Sequence, residues 1–92
     1  MKKLHVFLEK VKDDCRVGPI HISLYVVLLT MLTEQGFMRI SRDEVMQRTK
    51  ILGRNTFYRA MGLLDQLGFI EYRPGNGRGR LGVRVKLLDL RG

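Results

Sequence analysis

The chain has 92 residues, with 17 Lys+Arg against 9 Asp+Glu and a formal charge of +8. That length sets one small domain, and 45% apolar residues are enough for a folded core, which excludes general disorder. A single cysteine, Cys15, excludes an intrachain disulfide and a cysteine-rich metal cage, and suits a reducing compartment. The longest apolar stretch, Ile20 to Leu32, has 13 residues, short of the ~20 that a membrane helix needs. Met1-Lys2-Lys3-Leu4 opens like a signal peptide, but Glu9, Lys10, Lys12, Asp13 and Asp14 interrupt any apolar core, so no secretion is expected.

The charge is uneven. Residues 1–38 hold five basic and four acidic residues, whereas residues 39–92 hold twelve basic and five acidic. The segment 73–86 has five basic residues and no acid. Such asymmetry points to a polyanion meeting the C-terminal half. No basic amphipathic helix is evident, which argues against a membrane surface as that polyanion.

Leu4, Phe7, Leu8 and Val11 share one helical face, so residues 3–14 read as a short amphipathic helix. Residues 1–17 thus form an N-terminal unit, either padding for the core or a two-fold dimer arm. Gly18-Pro19 breaks the chain, and Pro19 suits the first turn of a second helix. That helix is expected from Pro19 to about Glu34, with Gly36 ending it. Only His21, Ser23 and Thr30 are polar between Ile20 and Leu32, so it should be covered on more than one side. Met38-Arg39-Ile40 reads as a short edge strand. Ser41-Arg42-Asp43-Glu44 has the form of a capping box and starts a brief helix that carries Val45 and Met46 inward and ends near Thr49-Lys50.

Ile51-Leu52-Gly53 is a tight connection, with Gly53 as N-cap of a fourth helix from Arg54 to about Leu67. Phe57, Ala60, Met61, Leu64 and Leu67 make its apolar stripe, and Gly68 closes it as a left-handed cap. The period then changes to two. Ile70 and Tyr72 alternate with Glu71 and Arg73, and Val83, Val85 and Leu87 alternate with Arg84 and Lys86, around a Gly-rich turn. This is a β-hairpin.

The order is helix, helix, short strand, capped helix, tight turn, helix, hairpin. At Ile40-Ser41-Arg42-Asp43-Glu44-Val45, Gly53-Arg54-Asn55-Thr56-Phe57-Tyr58-Arg59 and Leu64-Asp65-Gln66-Leu67-Gly68-Phe69-Ile70-Glu71-Tyr72, the sequence resembles the winged helix-turn-helix DNA-binding family. The resemblance covers about residues 19–88 and looks closest to small bacterial, mobile-element and replication-initiation winged-helix domains. One departure is Gly53, where relatives often carry Ser. The implied fold is mainly α with a small β-hairpin wing, an extra N-terminal helix preceding a winged-helix domain at 18–92.

The resemblance implies that the helix from Arg54 enters the major groove with Arg54, Asn55, Thr56, Tyr58 and Arg59. Arg can bond guanine and Asn adenine, each bidentately. Ser41, Arg48 and Lys50 would contact the DNA backbone. The wing, through Arg73, Asn76, Arg78, Arg80 and Arg84, would follow phosphates or a narrow minor groove. The helix face and the wing are expected to share one side of the molecule. A solvated helix face is the plainer alternative, with Arg59 pairing to Asp65 or Glu44. Gly62 on the exposed face lacks a side chain and costs ~1 kcal/mol of helix stability relative to Ala; a close approach by a ligand or partner would account for it.

Gly77-Arg78-Gly79-Arg80-Leu81-Gly82 fits the G-x-G-x-x-G dinucleotide pattern, but an alternating strand follows where that site needs a helix. His5, His21 and Cys15 have no metal-ligand spacing. No enzyme, metal or cofactor is therefore expected. The expected function is double-stranded DNA binding in transcription regulation or as an accessory replication or mobile-element factor, cytoplasmic and nucleoid-associated, with a possible homodimer. A winged-helix module that docks a protein partner is the alternative. An RNA-binding hairpin is disfavoured because no aromatic lies between Arg73 and Lys86 in the chain.

Overall fold

The computed structural model describes residues 2–32, 36–73 and 83–88. In chain order the elements are α1 (Lys2–Val11), α2 (Pro19–Met31), β1 (Met38–Ile40), α3 (Arg42–Thr49), α4 (Arg54–Gln66), β2 (Ile70–Arg73) and β3 (Val83–Leu87). The chain is mainly helical with a small three-stranded antiparallel sheet of order β1-β3-β2.

α1 is tied to the core by aromatic packing. Phe7 stacks on Tyr25 of α2 with centroids 4.0 Å apart and planes 6° from parallel. Phe69, between α4 and β2, meets the Phe7 ring edge-on at 4.9 Å. Aromatic pairs of this kind add about 0.5–1.5 kcal/mol beyond the area they bury. Phe7 and Val11 are buried within their own chain, Leu4 is half-buried, and Leu8 alone of the four expected face residues stays exposed. Within the chain, α1 packs into the core through Phe7 and Val11.

α2 stops at Met31, short of the expected end near Glu34. Leu32 leaves the helical region (φ −92°, ψ 82°) and keeps its side chain in the core. Gly36, with φ +90°, belongs to the approach to β1 and does not cap the helix. At the other end Pro19 is in the first turn, and His21 Nδ1 accepts the Gly18 N–H at 2.9 Å. Leu24, Tyr25 and Leu28 are fully buried, and α1, α3 and α4 all pack on this helix.

α3 keeps half of its expected capping box. Ser41 Oγ accepts the Glu44 N–H at 3.3 Å, but the Glu44 carboxylate accepts from Arg48 at 3.0 Å instead of turning back to the Ser41 N–H. An i,i+4 ion pair has displaced the second cap bond. Val45 is buried and Met46 half-buried. In α4, Phe57, Ala60, Met61 and Leu64 are buried and face α2 and β2. Gly68 follows with φ +84°, as expected of a left-handed cap. Asp65 Oδ2 then accepts the Tyr72 N–H at 2.9 Å and fixes the corner between helix and strand.

β2 and β3 pair as the hairpin stem, with Tyr72 opposite Val85 and Arg73 opposite Arg84. β1 pairs on the other edge of β3, with Arg39 opposite Arg84 and Ile40 opposite Val83. Ile40, Ile70, Val83 and Val85 are buried, so the sheet turns this face to the helices.

Candidate nucleic-acid interface

The buried stripe of α4 fixes what its other side presents. Asn55, Arg59, Gly62 and Gln66 are spaced four, three and four residues apart, so they line the outward face of the helix. Arg54, Thr56 and Tyr58 flank that line and are also exposed. No acid lies on it, because Asp65 is engaged with β2. Neither of the expected Arg59 ion pairs forms: Glu44 holds Arg48, and Asp65 holds the Tyr72 N–H. Among the described residues neither Arg54 nor Arg59 has a carboxylate within salt-bridge distance.

The start of α4 is open. Gly53 adopts extended geometry and offers no side-chain cap, and the first chain-bonded N–H of the turn is that of Phe57, to Gly53 at 3.0 Å. The N–H groups ahead of it are directed outward with the positive end of the helix dipole, a setting that suits a phosphate. A Cβ built on Gly53 would meet only Thr56, with Oγ1 nearest at 3.5 Å, so a Ser would fit there. Leu52, just before, is 97% exposed, while its neighbour Ile51 is buried.

Two groups missed from the sequence shape this face. Arg42 Nη1 donates to Tyr58 Oη at 2.9 Å, and its Nε reaches Asp43 at 3.3 Å. The bond to Tyr58 holds the Arg42 guanidinium above its already high ordinary value. Burial pushes the Tyr72 phenol up to about 12, with smaller opposing influences from Tyr58 and Arg42. The Arg42–Tyr58 bond joins the start of α3 to α4. Tyr58 is thereby positioned, with its hydroxyl proton still able to donate. The signal in the sequence was weak, because Arg42 and Tyr58 lie 16 residues apart on different helices.

The expected backbone contacts are partly committed elsewhere. Ser41 Oγ caps α3, and Arg48 pairs with Glu44. Lys50 is exposed and holds a left-handed conformation (φ 65°, ψ 23°), which costs a side-chain-bearing residue about 1–2 kcal/mol. Asn76, Arg78 and Arg80 lie outside the described residues. Arg73 and Arg84 stand on the outer face of the sheet, beside Arg39, and Arg73 pairs with Glu71 at 3.2 Å. Both arginines are rooted on the sheet face opposite the one that meets α4. Strand alternation sends Tyr72 and Val85 toward the helices and Arg73 and Arg84 away from them.

Among the described residues no helix is long and apolar enough to cross a membrane. No family model, curated protein or solved structure matches the chain.

Proposed function

We propose that the chain is a double-stranded DNA-binding protein of the winged helix-turn-helix kind, acting in transcription or as an accessory factor in replication or mobile-element transfer. α3 and α4 serve as the helix pair, and the β2–β3 hairpin is the wing. α4 enters the major groove with Asn55 and Arg59 at its centre and Arg54, Thr56 and Tyr58 at its margins. Lys50 and the open start of α4 meet phosphates. Leu52 is placed for apolar contact with a thymine methyl group.

One observation carries this reading: the acid-free outward line of α4, which presents an amide and a guanidinium one turn apart. Both groups are bidentate partners for base edges. The net charge of +8 supplies the attraction that any duplex exerts.

Titration of duplexes at several salt concentrations tests it. Log affinity should fall linearly with log salt, by about 0.9 for each phosphate neutralised. A duplex enriched by selection should bind on the order of a thousandfold or more above random sequence. Absence of duplex binding at low salt would favour the protein-docking module, and equal affinity for every sequence would remove groove reading.

A further inference from the structure

The sheet has an outer face that the helix reading does not use. Arg39, Arg84 and Arg73 are consecutive cross-strand partners on β1, β3 and β2, so their side chains project in one row from the side opposite the core. All three are exposed. In the neighbouring row Lys86 lies opposite Glu71. The face thus carries four cations and one carboxylate. Like charges rooted on adjacent strands, about 4.8 Å apart, repel one another when nothing covers them.

An aromatic ring sits among these cations. Phe37, just ahead of β1, is 38% exposed. The Arg73 guanidinium carbon lies 4.5 Å from its ring centroid, and Lys86 Nζ lies 6.0 Å from it. The aromatic that segment 73–86 lacks in sequence is supplied in space from the approach to β1. With the Arg73 guanidinium lying over the Phe37 ring, a base can stack on the guanidinium plane that the ring backs while its phosphates run along the cations, as sheets hold unpaired bases. A duplex keeps its bases stacked inside and has no use for Phe37.

We infer that the outer face of the sheet binds an unpaired nucleic-acid strand, with Phe37 and Arg73 as the stacking platform and Arg39, Arg84 and Lys86 as the phosphate track. The inference is independent of the α4 reading, since it uses other residues. A protein holding both surfaces would occupy the junction between a duplex and its opened strand.

The test is a fluorescence-anisotropy titration of the full chain with a labelled twelve-nucleotide single strand, the matching duplex and inorganic polyphosphate. Phe37→Leu should weaken single-strand binding by about 5- to 150-fold, the range for removal of one base–aromatic stack. It should leave polyphosphate unchanged, and Phe37→Tyr should restore binding. Arg39→Gln with Arg84→Gln should flatten the single-strand salt slope by about 1.4, at ~0.7 for each phosphate no longer neutralised. Asn55→Ala should leave single-strand binding intact. Because every altered side chain is exposed, matching thermal unfolding of the variants and the wild type confirms that folding is not the cause. Single-strand affinity unmoved by Phe37→Leu would overturn the proposal. So would equal losses on polyphosphate, which mark a plain anion surface, or losses confined to the duplex, which mark a second duplex contact.

Discussion

Tyr25 is wholly buried, and its hydroxyl has no hydrogen-bond partner among the described residues. The ring stacked on Phe7 is what this position contributes. A buried unpaired polar group costs about 1–3 kcal/mol. Tyr25→Phe keeps the stack and removes that burden, so urea unfolding at pH 7 should show a variant more stable by about 1 kcal/mol. Burial also pushes the phenol up to about 12. A folded value raised above the unfolded one gives stability that is complete below about pH 10 and lost as pH rises through 12. Tyr25→Phe should therefore lessen the alkaline decline, to which Tyr72 contributes in the same way. A less stable variant would mean that the hydroxyl is bonded. His21 gives the opposite limb. Burial lowers its imidazole from the ordinary 6.5, and protonated Nδ1 has no lone pair for the Gly18 N–H. Its contribution is complete above pH 6.5 and lost as pH falls below that. His21→Ala should be about 1 kcal/mol less stable than wild type at about pH 7.5, by loss of the cap, and the gap should narrow at about pH 5.5. A gap that widens on acidification would contradict the assignment. Neither role was legible in the sequence, since periodicity marks a residue as apolar-facing or not and says nothing of which atom meets which.

At the scale of elements, α4 was the most legible, because apolar residues at helical spacing leave one solution for its buried side and hence for its outward line. β2 and β3 were also plain from their period of two. What local pattern missed were the competitions between bonds. Glu44 had two partners within reach, and Arg48 won over the Ser41 N–H. The apolar run extends through Leu32, yet Leu32 has left helical geometry with its side chain still in the core. Gly62 converts the α4 reading into a two-sided prediction. It is exposed in mid-helix, and a Cβ there would meet nothing within 4 Å. Gly62→Ala should raise stability by about 1 kcal/mol through helix propensity alone. If the bare backbone serves close approach to DNA, the same substitution should weaken duplex binding. Higher stability with unchanged affinity would leave the glycine without a role in contact.

For the whole molecule, the sequence correctly concentrated positive charge in the second half but could not divide it between surfaces. Arg73 and Arg84 flank the hairpin turn in sequence and read there as wing residues, and the pairing of β3 with both β1 and β2 ranks them beside Arg39 on the outer face of the sheet. Only the β1–β3 pairing, which joins segments distant in the chain, brings Phe37 and Arg39 to that face. The basic half therefore carries two cationic surfaces, one helical and one on the sheet. The α4 surface is the one on which the proposed function stands. Its most direct test compares Asn55→Ala and Arg59→Ala with wild type on a selected duplex and on variants of it changed one base pair at a time. Each substitution should cost about 1–3 kcal/mol on the selected duplex and relax preference at a single position. Equal losses on every duplex, or none on any, would contradict groove reading by α4.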